Sequence, residues 1–153
     1  MKSLFSWVSV GFIGLSVLGA AGLSTGCSSA AATDSGGEVS ETAAAVVTTE
    51  GGAFTIAVHS GPDASPSRGV NTLRLVVTRA SDGTPASGLT LDVVPWMPAM
   101  GHGASVKPTV EPGPEPGSYT VTNVALVMPG LWEIRTTISG STSDHVAPQF
   151  EIH

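Results

Sequence analysis

The sequence predicts an all-β fold, an antiparallel β-sandwich of about seven strands. Three observations predict it. From Ala53 onward, apolar residues recur at every second position, the period of a strand with one buried face. Clusters of Gly, Pro, Ser and Asp punctuate these stretches at short spacing, and the chain's 19 Gly and 11 Pro suit many turns. No amphipathic helical pattern and no internal repeat follows Gly52.

Taken in order, the first segment is not part of that fold. Lys2 gives a minimal positive region, and "LFSWVSVGFIGLSVLGAAGL" gives an apolar run that ends in small residues before Cys27. Residues 1–26 read as an export signal. Cys27 is the single cysteine, so no intramolecular disulfide forms. A lone cysteine directly after a signal is suited to covalent lipid attachment. "LSTGC" resembles the bacterial lipoprotein lipobox, with Leu23 one position further from the cysteine than usual and Ser24 in the expected Leu place. The alternatives are an ordinary cleaved signal or an uncleaved anchor. A lipid there would tether the chain to a membrane surface without spanning it. Ser28 and Ser29 after the cysteine favour the outer membrane.

Residues 27–52 read as a flexible tether, with no aromatic residue and little to bury. Such a coil would hold the domain on the order of 30 Å from the lipid. Residues 53–153 then form the domain, about 100 residues and large enough to fold without a disulfide.

In "AFTIAVHS", Phe54, Ile56 and Val58 share a face. In "NTLRLVVTR" the inward set is Leu73, Leu75 and Val77, and in "GLTLDVVPW" it is Leu89, Leu91 and Val93. "GSYTVTNV" pairs Tyr119 with Val121, and "LWEIRTTIS" sets Trp132, Ile134 and Ile138 opposite Glu133 and Arg135. The last stretch, "HVAPQFEIH", offers Val146, Phe150 and Ile152. Trp132 and Phe150 are the expected centre of the packing.

Charge excludes one class of partner. Only 12% of residues are charged, and the net charge is -6. Without Lys2 the cations are Arg68, Arg74, Arg79, Lys107 and Arg135, scattered among twelve acids. Phosphate binding needs a basic patch, so no nucleic-acid partner is expected. No "GxSxG", "HExxH" or phosphate-cradling glycine loop is present, and no enzyme is expected.

The chemically distinctive stretch is "WMPAMGHG", Trp96–Gly103, which holds two of the four methionines and one of the four histidines. Met97 and Met100 offer soft thioethers and His102 a borderline imidazole, a set that suits Cu(I) better than Zn(II), Ca(II) or Mg(II). Pro98 biases Met97 toward extended backbone, and the flanking glycines free His102. Trp96 is placed to shield an ion. The structural alternative is that Trp96, Met97 and Met100 cap one end of the sandwich while His102 is solvated. His59, His145 and His153 read as solvated surface groups.

Pro95 to Ile138, "PWMPAMGHGASVKPTVEPGPEPGSYTVTNVALVMPGLWEIRTTI", resembles the YtkA-like domain, related to the FixH-like envelope proteins. The matching features are "MPxMxHG", the proline-rich stretch after it, "GxY" and "MPGLWEI". The resemblance implies an immunoglobulin-like sandwich in the cell envelope, often behind a lipoprotein signal, with an association with copper handling. It makes Met97, Met100, His102 and, from the second motif, Met128 the candidate ligands. If the strands holding Tyr119 and Trp132 are hairpin neighbours, Met128 sits at their connecting end, where it could equally plug a turn.

Two functions follow as expectations. One is a lipid-anchored envelope protein that binds copper, as Cu(I), for buffering or transfer to an envelope copper protein. The other is a metal-free interaction or assembly module that uses the same loop as a docking patch.

Overall fold

The computed structural model describes residues 41–61 and 65–153. The export signal, Cys27 and the tether up to residue 40 lie outside the described residues. The described residues share one core cluster.

The described strands form two antiparallel sheets, the architecture of a β-sandwich. In chain order the strands are β1 (Ala45–Thr48), β2 (Phe54–His59), β3 (Gly69–Arg79), β4 (Thr90–Met97) and β5 (His102–Gly103). They continue with β6 (Thr109–Pro112), β7 (Ser118–Leu126), β8 (Gly130–Ser139), β9 (Asp144–Val146) and β10 (Gln149–Ile152). One sheet runs β1-β2-β3-β7-β6, and the other runs β10-β8-β4-β5 with β9 also on β8.

The period-two reading holds except at Leu89, which precedes β4 and is only partly buried against the core. Phe54, Ile56, Val58, Leu73, Leu75, Val77, Leu91, Val93, Tyr119, Val121, Trp132, Ile134, Ile138, Val146, Phe150 and Ile152 are all buried in one core cluster. Trp132 has no exposed surface. Fully burying a Val, Leu, Ile or Phe side chain contributes roughly 1.5–3 kcal/mol, so the fold rests on these alternating positions.

Among the described residues ten strands replace the expected seven or so, for two reasons. β1, β5 and β6 span only 4, 2 and 4 residues, too short to show a period, and are recruited by backbone pairing to a longer neighbour. The C-terminal stretch splits because Pro148 has no N–H for the ladder, although its carbonyl accepts from Ile134 N at 2.9 Å.

β1 also corrects the tether boundary. Ala45–Thr48 pair with Thr55–Val58, and Thr49 is buried, so residues 45–52 belong to the folded unit. His59 is likewise a correction. It is 8% exposed, although it lies on the alternate face from Phe54, Ile56 and Val58.

Two polar groups fasten the sheets to their connections. Tyr119 Oη donates to Ala86 O and accepts from Leu89 N, both at 3.0 Å, and so pins the crossing from β3 to β4. Asp144 holds the β1–β2 turn against β9. Its carboxylate accepts from Thr49 Oγ1 at 2.6 Å, Gly51 N at 2.8 Å, Ala53 N at 3.1 Å and His145 N at 2.8 Å. Glu50 N donates to His145 O alongside.

Candidate metal centre

One end of the sandwich is built from the end of β4, the short β5, and the loop that joins β7 to β8. β4 delivers Met97 as the last of its inward residues, after Leu91, Val93 and Pro95. Met97 is 6% exposed and belongs to the core cluster. The chain then reverses through Pro98–Gly101. Met100 N and Gly101 N both donate to Met97 O, at 3.1 and 3.0 Å. Gly101 closes the turn with a φ of 68°, a conformation that favours glycine. Met100 at the tip is 59% exposed.

The reversal brings His102 directly opposite Met97 across the β4–β5 pair. Residues opposed in this way carry side chains on the same face. His102 is exposed, and its Nδ1 lies 3.0 Å from Gly103 O. A carbonyl only accepts, so the contact requires the hydrogen on Nδ1, and in the neutral ring that tautomer leaves the lone pair on Nε2. A histidine that ligates a metal is commonly oriented by this kind of bond.

Met128 arrives from the other sheet. β7 and β8 are not hairpin neighbours, because β7 pairs with β3 and β6 while β8 pairs with β4, β9 and β10. The segment Val127–Pro129 therefore crosses between the sheets at this end. Trp132 Nε1 donates to Met128 O at 2.9 Å and secures the crossing from below. Met128 is half-buried and packs against the core cluster. The two motifs meet at Gly130. A Cβ built there would lie 2.8 Å from Met97 Cε, so the Met97 methyl rests on the backbone of the loop that carries Met128.

Met97, His102 and the Met128 loop are thus brought together at one end. Met97 and Met128 lean into the core, while Met100 and His102 stay exposed. Trp96 departs from expectation. It alternates with Met97 and so points to the outer face, where the Arg135 guanidinium stacks 4.5 Å from its ring centroid. Arg135 is itself held by Glu133 Oε2, with Nε and Nη2 both at 2.8 Å. Trp96 therefore does not shield this end.

Among the described residues, no group of three or more His, Cys, Asp and Glu side chains is placed to hold a metal ion. Thioethers are three of the four candidate donors at this end, a set whose chemistry suits a soft monovalent ion better than a hard divalent one. Two features matter that sequence reasoning missed. Gly130 is part of a common turn pair, Pro129-Gly130, and nothing local signals its contact with Met97. The carboxylate of Asp144 gathers partners more than ninety positions away, a relation with no local signature.

Comparison with curated proteins gives no match, and comparison with solved structures gives none. The model of one family matches residues 50–137, a span that contains Met97, Met100, His102 and Met128. The chain belongs to the YtkA-like family.

Proposed function

We propose that this is a lipid-anchored protein of the bacterial cell envelope that binds copper, as Cu(I), for buffering or transfer. Cys27 would carry the lipid, and the outer membrane is the favoured surface. Met97, Met100, His102 and Met128 would hold the ion. Thioethers stabilise the reduced ion, and a neutral imidazole adds affinity that falls when it is protonated. The observation that carries the reading is the placement of Met97, opposite His102 and in contact with Gly130 of the Met128 loop. The bond from His102 Nδ1 to Gly103 O supports it by leaving Nε2 as the donor atom.

The test is a Cu(I) titration of residues 34–153 against a competing chelator. Wild type is expected to withdraw copper, and Met97→Ala/Met100→Ala/His102→Ala to fail while still folded. Equal, poor competition by both proteins would end the copper reading.

One observation favours a second reading, a metal-free interaction or assembly module. Met100, Val127 and Leu131, at this same end, are 59%, 53% and 38% exposed. That reading predicts a partner whose binding is lost in Met100→Asp/Val127→Asp and is indifferent to metal.

A further inference from the structure

We propose that Gly130 is the positioning residue of this end. Its missing side chain leaves the space into which the Met97 thioether reaches, and so fixes that donor beside the Met128 loop. The inference rests on the copper reading and adds to it a residue that offers no donor atom of its own.

A methionine has three rotatable bonds and little direction of its own. A thioether held at one place therefore needs walls. Met97 has them on the core side, where it is 6% exposed among the inward residues of β4. Gly130 is the wall on the loop side. An alanine Cβ there would overlap the Met97 methyl, at 2.8 Å from Cε. The backbone selects glycine as well, since φ at Gly130 is 120°, a region that side chains disfavour.

The loop side is also held in place. Gly130 pairs with Ile152 of β10, and the Trp132 indole holds Met128 O two residues before it. When a side chain is added at 130, the mobile partner is therefore Met97. Rotating its methyl away redirects the lone pairs of the sulfur to which that methyl is bonded. An ordinary core contact would end there, but this one joins the two chain segments that carry candidate donors. Met97 faces His102, and Gly130 follows Met128 by two positions.

The experiment uses residues 34–153 with methyl-labelled methionine, and Ag(I) as a closed-shell stand-in for Cu(I). In the wild type, a nuclear Overhauser contact is expected between the Met97 methyl and the Gly130 Hα. Ag(I) is expected to shift the methyl signals of Met97, Met100 and Met128. Gly130→Ala is expected to abolish the shift at Met97, preserve it at Met100 and weaken binding about tenfold.

Backbone strain at 130 is cancelled by repeating the substitution in Met97→Ala. There Gly130→Ala is expected to lower the denaturation midpoint less than in the wild type. Retention of the Met97 shift in Gly130→Ala, or absence of the wild-type contact, overturns the positioning role while the copper reading stands. The contact measurement needs no variant, so it decides the point even where Gly130→Ala does not fold. If the wild type shows no methyl shift and no competition for Cu(I), the copper reading fails and the positioning role falls with it.

Discussion

The hydroxyl of Thr49 donates to Asp144 Oδ2 at 2.6 Å, joining the turn after β1 to the first residue of β9 across 95 positions of sequence. Thr49's hydrogen bond is the main cause that holds the Asp144 carboxyl well below its ordinary value of 3.8, helped by the N–H groups of Gly51, Ala53 and His145 and opposed by burial. A depressed folded value means the ionised form is bound more tightly in the native state. Its contribution to stability is complete above the ordinary carboxylate range and is lost as pH falls below 3.8 toward the folded value.

Asp144→Asn is therefore expected to lower the urea midpoint at neutral pH and to flatten its fall in acid. One amide oxygen cannot serve four donors, and the amide N–H₂ would face other N–H groups. Urea midpoints of both proteins from neutral to acidic pH check this. Parallel curves would show that Asp144 does not carry the acid sensitivity.

Thr49→Val removes a donor that is 3% exposed and leaves the carboxylate a partner short. A cost of about 1–3 kcal/mol in unfolding free energy is expected. Gly51→Ala should also destabilise, because its Cβ would sit 2.9 Å from Asp144 Oδ2. Both are read by chemical denaturation.

The two methionines of the β4–β5 turn should separate stability from binding. Met97→Ala empties a core position and is expected to cost about 2–5 kcal/mol. Met100 stands on the exposed tip, so Met100→Ala is expected to change stability by no more than about 0.5 kcal/mol. Both variants are expected to lose Cu(I) affinity in the chelator competition. A Met100→Ala protein with unchanged affinity would remove Met100 from the ligand set.

Tyr119→Phe tests the pin between the sheets. The substitution keeps the ring but leaves Ala86 O and Leu89 N without their shared partner. A loss of about 1–3 kcal/mol is expected from unfolding curves. A protein as stable as the wild type would mean that water replaces the hydroxyl there.

Much of this fold was legible because strand alternation is local. Leu73, Leu75 and Val77 need no distant information to declare a buried face, and the same holds for Trp132, Ile134 and Ile138. Strands without a period were not legible. β5 has two residues, and β1 lies in a stretch of alanine, valine and threonine that reads equally well as linker. Pairing with β4 and β2 gives them their conformation, so only the partner reveals them.

The sequence by itself determined which two segments carry soft donors. "MPAMGH" begins on the last inward residue of one strand and "VMPG" ends on the first residue of another. Tertiary structure alone decided that the two segments meet. β7 and β8 lie in different sheets, so the Met128 loop crosses from one to the other and sets Gly130 under the Met97 methyl. It also turned Trp96 outward onto Arg135, because strand pleat allows only one of two adjacent side chains to face the core. The physical reason is the same in each case. Alternation assigns a residue to a face, while the order of strands in the sheets decides what that face meets.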